Sequence, residues 1–356
     1  MEAGAENEDI RAVTAKTSTN VVVVGASAGG VPVLSAFVAD LPAKLDAAVF
    51  IVLHASADSP RLLADILARK AALPVRYAVD GDPIIAGEIR VAVPDCHLLL
   101  EPSFMRVVHG PKENRSRPSA DPLFRSAAWS FGPAVIGIIM SGMLSDGTAG
   151  LWAIKSCGGT TIVQDPSDAI YPDMPRSAIQ SVPIDHCVPS TAMGGLVARL
   201  VSGRAHGEST WERPPRMRIE TQFATMQTPA GDLSAMDRIG KLSALTCPAC
   251  KGSLWEIDDA HVLRFRCHTG HAFSAESLDG AQRERIEDAV YTAIAALEED
   301  VQFSGVLEKR FGDRDQTHLA AQYRMKAEKA RQSAEALRAL LVRRLTTDAT
   351  GETSAR

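Results

Sequence analysis

Short apolar runs alternate with amphipathic stretches between residue 20 and about residue 202. The runs are continuously apolar, which is typical of strands buried on both faces of a parallel sheet. The pattern predicts strands at 20–24, 47–53 and 134–140, and helices at 33–41, 59–70 and 119–131. Strands that alternate with helices indicate βαβ units, so we expect an α/β domain with a mainly parallel sheet.

The first predicted strand ends in a turn rich in glycine and serine, residues 25–30. Ser27 in this turn is expected at the carboxyl end of the sheet, near a helix N-terminus that can stabilise an anion. A dinucleotide loop is disfavoured, because Gly25, Gly29 and Gly30 do not form G-x-G-x-x-G and the second strand ends in His54. The turn is therefore either the site of a serine nucleophile or a feature needed only for tight packing.

Two further polar residues follow predicted strands. His54 follows the second strand, and Asp146 lies in the turn after the strand at 134–140. Since parallel strands end at one edge, Ser27, His54 and Asp146 are expected together, with the carboxylate orienting an imidazole that deprotonates the serine. The alternatives are a structural histidine and an aspartate that caps the helix beginning near Gly147.

Six motifs carry a resemblance to a known family: GASAGG (25–30), LHAS (53–56), AVPDCHLLL (92–100), RPSADPLFRSAA (117–128), SGMLSDGTAG (141–150) and CGGTTIVQDPSDAIYPDMPRSA (157–178). With these motifs the chain resembles the CheB-type chemoreceptor glutamate methylesterases from about residue 20 to residue 200. The resemblance implies a doubly wound parallel sheet and assigns the catalytic serine, histidine and aspartate to Ser27, His54 and Asp146.

The resemblance also implies a reaction. The enzyme would remove methyl groups from glutamate methyl esters of a chemoreceptor-like protein, release methanol, and also deamidate receptor glutamines, without a catalytic cofactor. The backbone N–H groups of Ala28 and Met143 are the expected oxyanion donors. The alternative function is a non-catalytic signalling adaptor that binds receptor segments, with a C-terminal zinc ribbon and helical tail as docking elements.

Composition excludes some functions. The chain has 356 residues, 38 basic and 43 acidic, and a net charge of −5, so no electrostatic case exists for nucleic-acid binding. No apolar run is long enough to cross a bilayer, and the N-terminus lacks a signal-peptide pattern. We therefore expect a cytoplasmic protein, peripheral to membrane receptors. Residues 1–19 are expected to be disordered and too short for the receiver domain of typical family members, so regulation is expected to differ.

Residues 203–240 are polar and contain several prolines and glycines, which predicts an extended linker. Residues 241–277 then form a zinc-ribbon-like segment with a predicted hairpin at 253–257 and 262–266. The spacing of its cysteines is typical of a structural zinc site. The predicted ligands are Cys247, Cys250, Cys267 and His271, with His268 as the competing fourth ligand.

Residues 278–345 have a helical composition with an interruption at 311–313. The apolar spacing predicts an antiparallel helical hairpin, which either packs on itself or offers a surface for dimerisation or for a partner. Residues 346–356 are expected to be a disordered tail.

Overall fold

The computed structural model describes residues 20–204, 211–227, 233–259 and 262–351. The chain divides into two compact units, the first ending at Leu278 and the second beginning at Asp279. The disorder predicted for residues 1–19 lies outside the described residues, as do residues 352–356 of the predicted tail.

A parallel sheet forms the centre of the first unit. The strands of this part of the chain are β1 (Asn20–Ala26), β2 (Ala47–Leu53), β3 (Val75–Tyr77), β4 (Ile89–Val91), β5 (His97–Leu100), β6 (Met105–Val108), β7 (Val135–Ile139), β8 (Thr160–Gln164) and β9 (His186–Val188). Seven of them pair in the order β3-β4-β2-β1-β7-β8-β9, and every pairing is parallel. The order reverses direction between β1 and β7, and such a point is where open α/β sheets place their ligand sites.

Helices cover both faces of this sheet, as the predicted doubly wound fold requires. They are α1 (Gly30–Asp40), α2 (Leu63–Ala68), α3 (Ala120–Phe131), α4 (Thr148–Ser156), α5 (Asp173–Ser181) and α6 (Met193–Ser202). Val21 and Val23 of β1 lie in the core with α3, α4 and α5, whereas Val22 and Val24 lie in the core with α1, α2 and α6. Both faces of β1 are therefore buried, which explains its run of four valines.

The segment predicted as an extended linker contains two helices, α7 (Pro215–Ala224) and α8 (Leu233–Asp237). Met217 of α7 packs in the core beneath α3, and Phe223 packs with Met236 of α8 and Trp255. The local sequence of α7 and α8 lacks helical periodicity. The two helices form because residues distant in the sequence pack against their few apolar side chains.

A four-stranded antiparallel sheet follows in the same compact unit. Its strands are β10 (Lys241–Thr246), β11 (Ser253–Asp258), β12 (Leu263–Cys267) and β13 (Ala272–Ser274), paired in chain order. The predicted hairpin corresponds to β11 and β12, which pair from Leu254 with Cys267 to Asp258 with Leu263. The zinc-ribbon-like segment is thus part of the first unit.

The second unit consists mainly of two long helices, α9 (Ala275–Gly312) and α10 (Thr317–Gly351). Lys326 pairs with Asp300 at 2.6 Å, and the rings of Phe311 and Tyr323 stack at 5.5 Å, so the helices run antiparallel. The predicted hairpin is confirmed, but α10 continues through residues 346–351, which were expected to be disordered. No helix in the described ranges is both long and apolar enough to cross a membrane.

Candidate active site

Ser27 lies directly after β1, at the reversal point of the sheet. Its backbone N–H donates to the Ser141 carbonyl at 2.9 Å, and its own carbonyl accepts from the Gly30 N–H at 2.9 Å. Gly29 has φ +70°, a left-handed conformation that favours glycine and lets the chain turn sharply into α1. The turn therefore holds Ser27 beside the N-terminus of α1 and beside the loop after β7.

Close packing explains the glycine at position 142 in that loop. A Cβ atom there would lie 2.9 Å from the Ser27 Cβ and 2.0 Å from the Met174 sulfur. Real Cβ atoms do not approach other atoms this closely, so only glycine lets the loop pass Ser27. Close packing therefore holds the loop after β7 against Ser27.

His54 lies at the end of the neighbouring strand. Ala26 of β1 pairs with Leu53 of β2, so Ser27 and His54 are the next residues on two neighbouring strands. The His54 N–H donates to the Ala26 carbonyl at 3.1 Å. The His54 Nε2 lies 2.6 Å from Asp146 Oδ2, which leaves Nδ1 for a second partner. Within the described residues no hydrogen bond joins His54 to Ser27. Hydrogen bonds between catalytic residues are often long or poorly aligned before substrate binds.

Asp146 is buried and accepts several hydrogen bonds besides the one with His54. Its Oδ2 accepts from the Ala120 N–H at 2.6 Å, and its Oδ1 accepts from the Ser119 hydroxyl at 2.7 Å and the Asn114 side-chain amide at 2.8 Å. Burial raises the pKa of this carboxyl, but the bonds from His54, Ser119 and Ala120 outweigh burial and lower it. Asp146 is therefore an anion held in one orientation.

The alternative role of Asp146 as the cap of the following helix does not match this geometry. That helix, α4, begins at Thr148 after Gly147, with no side-chain hydrogen bond to its cap. The carboxylate instead contacts the first turn of α3, where a helix N-terminus stabilises negative charge.

Asp121 is a second buried carboxyl beside Asp146. It accepts from the Asn114 amide at 2.7 Å and from the Gly150 N–H at 2.6 Å. Burial and the neighbouring charge of Asp146 raise the pKa of Asp121 to about 7. Sequence reasoning missed Asn114, Ser119 and Asp121 as residues that surround the site, although two of them lie in the RPSADPLFRSAA motif.

Two backbone N–H groups near Ser27 are free to receive an anion. The Gly142 N–H is used by the Tyr171 carbonyl at 2.9 Å. By contrast, the N–H groups of Ala28 and Met143 have no acceptor among the residues that the structure describes. These are the two donors that the sequence predicts for an oxyanion.

Exposed apolar side chains lie in the two loops that contact the Ser27 turn, the one after β7 and the one after β8. Met143, Leu144, Ile170 and Tyr171, here called the apolar rim, are all exposed. A Cβ on Gly29 would lie 3.1 Å from both Ile170 and Tyr171, which places this part of the rim against the Ser27 turn. Leu53 and Ala55, the two neighbours of His54, line a separate apolar cavity of about 210 Å³.

The zinc-ribbon-like segment brings its four predicted ligands together. The ligand atoms of Cys247, Cys250, Cys267 and His271 lie within 4.8 Å of one another, and the sulfurs of Cys250 and Cys267 are 3.6 Å apart. A tetrahedral zinc site with Zn–S bonds of about 2.3 Å places its ligand atoms about 3.8 Å apart, so this group fits the ion. The ring of His268 lies instead against Gly252.

Known proteins resemble the α/β part of this chain. The model of the CheB methylesterase family matches residues 22–197. A Rhizobium johnstonii protein named protein-glutamate methylesterase/protein-glutamine glutaminase 2 is 40% identical over 179 residues, which are 49% of each chain. A Leptospira interrogans protein named for the same two activities is 35% identical over 50% of this chain and 93% of its own length.

A solved structure resembles part of the first unit. The catalytic domain of the Thermotoga maritima CheB methylesterase matches with a TM-score of 0.50 and 30% identity, over 52% of this chain and 100% of that domain. The chain spans about half the length of the first curated relatives it matches. The α/β domain, its motifs and these relatives together show that the chain belongs to the CheB methylesterase family.

Proposed function

We propose that the protein is a serine-type hydrolase that removes methyl groups from glutamate methyl esters of chemoreceptor-like proteins and deamidates receptor glutamines. The observation that carries this proposal is the 2.6 Å contact between His54 and the buried Asp146, at the sheet edge where Ser27 lies. The names of the relatives support both activities.

In the first step the Ser27 oxygen attacks the side-chain carbonyl carbon of the methylated glutamate. His54 accepts the serine proton on Nδ1, since its Nε2 faces Asp146, and the carboxylate stabilises the resulting imidazolium. The negative charge that develops on the carbonyl oxygen is received by the N–H groups of Ala28 and Met143.

In the second step the intermediate collapses, methanol leaves with the proton from His54, and a glutamyl ester of Ser27 remains. Water, deprotonated by His54, then hydrolyses this ester and regenerates glutamate and the free serine. With a glutamine substrate the same sequence releases ammonia. No step requires a cofactor.

The receptor partner is expected to present an amphipathic helix. The apolar rim, Met143, Leu144, Ile170 and Tyr171, and the cavity lined by the neighbours of His54 offer apolar contact near the proposed catalytic residues. A substrate helix that covers both features would exclude water from the ester.

The Cys247, Cys250, Cys267 and His271 group is proposed to hold a structural zinc ion. Four protein ligands complete a tetrahedron and leave no open position for substrate. The chemistry of ester hydrolysis thus belongs to Ser27 and His54, while the metal stabilises the small four-stranded sheet.

Mass spectrometry of receptor peptides tests the proposal. Full-length protein, Ser27→Ala and the exposed control Ser103→Ala are each incubated with membranes that carry methylated receptor. We expect wild type and Ser103→Ala to convert methyl-glutamate to glutamate, and Ser27→Ala to leave it intact. Receptor binding without conversion by wild type would instead support a non-catalytic adaptor.

A further inference from the structure

Asn114, in the loop between β6 and α3, is fully hydrogen bonded through its side-chain amide. The nitrogen donates to Asp121 at 2.7 Å and to Asp146 at 2.8 Å. The oxygen accepts from the backbone N–H of Ser274 at 2.8 Å. The hydroxyl of Ser277 lies 3.1 Å from this oxygen and 3.1 Å from the Ser274 carbonyl, so it shares its proton between the two acceptors. One face of this amide thus contacts the proposed catalytic carboxylate, and the other contacts the C-terminal end of the first unit.

These contacts fix the orientation of the amide. If it rotated by half a turn, its oxygen would face two carboxyl groups and its nitrogen would face the N–H of Ser274, and both arrangements are unfavourable. Ser274 and Ser277 therefore keep the donor side of Asn114 directed at Asp146.

The loop that carries Asn114 is paired with β13. The Asn114 N–H donates to the Ala272 carbonyl at 2.8 Å, and the Ala272 N–H donates to the Lys112 carbonyl at 3.3 Å. Nearby, the hydroxyl of Ser145, the residue before Asp146, lies 2.8 Å from the Ser274 hydroxyl. Strand β13 thus supports both the loop and the turn that hold Asp146.

The cysteine and histidine group closes the turn that leads into β13. Cys267 is the last residue of β12, and His271 immediately precedes Ala272. The Cys267 N–H donates to the His271 carbonyl at 3.0 Å, and the Cys267 sulfur lies 3.6 Å from His271 Nδ1. An ion bound here would fix a strand of only three residues, since metal binding and local folding are coupled in such segments.

We propose that Asn114 is a positioning residue for Asp146, and that zinc in the Cys247, Cys250, Cys267 and His271 group maintains that position through β13. This proposal rests on the proposed function for its effect on turnover. The zinc ion touches neither substrate nor reacting atoms. Its loss lets β13 and the Asn114 loop move, so that Asp146 and His54 are less often correctly aligned.

The test compares full-length variants for zinc content and for methanol release. Ser277→Ala removes the hydroxyl that lies 3.1 Å from the Asn114 oxygen and from the Ser274 carbonyl. It keeps every metal ligand, so zinc content should stay unchanged. Because Asn114 does not contact substrate, we expect kcat to fall about 10-fold while KM stays the same. Cys250→Ser should lose zinc and kcat together, whereas the exposed Cys187→Ser should lose neither.

Hydrogen exchange gives a readout that does not depend on activity. Wild type is compared when zinc-loaded, chelated and reloaded, and we expect chelation to accelerate exchange in peptides covering 112–121 and 272–277, reversibly. If exchange responds but no form releases methanol, the proposed function fails and the structural link stands. The same exchange and the same kcat in loaded and chelated protein would overturn the proposal, as would an unchanged kcat in Ser277→Ala.

Discussion

At the scale of single residues, Gly142 shows how closely the Ser27 turn is packed. A methyl group there would contact both Ser27 and the Met174 sulfur at less than 3 Å. We expect Gly142→Ala to lower the free energy of unfolding by about 1–3 kcal/mol, because the loop must shift. We also expect it to reduce methanol release, because Met143 N–H moves with the loop.

The control for this substitution is Gly305→Ala, in α9, where an added Cβ meets no atom within 4 Å. It should leave methanol release unchanged and stabilise the helix by about 0.5–1 kcal/mol. Chemical denaturation and the methanol assay check both variants, and equal activity in the two would contradict the packing argument.

Asp121 makes stability depend on pH. Its pKa is raised from 3.8 to about 7, so between these values the folded protein retains a proton that the unfolded chain releases. The contribution of Asp121 to stability therefore falls as pH rises through this window. We predict a smaller decline for Asp121→Asn than for wild type, measured by denaturation at several pH values. The same decline of stability with pH in both proteins would contradict the raised pKa of Asp121.

The sequence alone could indicate where candidate residues lie, but not all of their contacts. Ser27, His54 and Asp146 each follow a strand, and strand ends of one parallel sheet meet at one edge, so their proximity could be predicted. Asn114 could not be identified in this way, because Ser274, its partner, is 160 positions away. The sequence predicted His271 as the fourth metal ligand with His268 as the competitor, and the structure groups His271 with the three cysteines.

At the scale of elements, buried ion pairs join α7 and β12 to α3. Glu220 of α7 pairs with Arg264 at 2.8 Å and with Arg125 at 3.1 Å, and all three side chains are buried. A neighbouring pair joins Arg266 to Glu113 at 2.9 Å. Since unpaired buried charges are costly, this network fixes the four-stranded sheet against the α/β domain.

Removal of Glu220 should destabilise the first unit strongly. Glu220→Ala leaves two buried guanidinium groups without this partner, so we expect a loss of about 3–5 kcal/mol in the free energy of unfolding. Glu256→Ala, on the exposed side of β11, is the matched control and should change stability by about 0.5 kcal/mol or less. Equal denaturation midpoints in both variants would show that the network contributes little.

Helices and strands could be predicted where their burial produces a clear hydrophobic pattern in the local sequence. The continuous apolar runs of β1, β2 and β7 indicated a parallel sheet because both of its faces are covered. Helices α7 and α8 were not predicted, because their burial depends on residues such as Trp255 that are distant in sequence. Prolines and glycines between them resemble those of a linker.

At the scale of the whole molecule, the first unit should contain everything that the reaction needs. A chain that ends at Leu278 keeps Ser274, Ser277 and the metal group, so we expect it to release methanol with the kcat of the full chain. A chain that ends at Gly203 lacks these contacts and should be less active by about 10-fold or more. Equal activity of both truncated chains would show that the four-stranded sheet does not support the site.

The organisation of the molecule could be predicted only in outline. The order of α/β domain, metal segment and helical hairpin follows from composition and motifs along the chain. The sequence could not predict that the α/β domain and the metal segment form one compact unit. This arrangement depends on the buried ion pairs and on the pairing of residues 112–114 with β13.

Ser27 and His54 are proposed to act as one catalytic unit, and a double-mutant comparison of methanol release tests this directly. Full-length wild type, Ser27→Ala, His54→Gln and the double variant are measured for kcat/KM on methylated receptor membranes. We predict that each single change costs about 10⁴-fold or more and that the double variant is no slower than Ser27→Ala, since residues that act together are not additive. If the losses in kcat/KM of the two single variants multiply in the double variant, Ser27 and His54 do not act as one catalytic unit. An active Ser27→Ala variant would show that Ser27 is not the nucleophile.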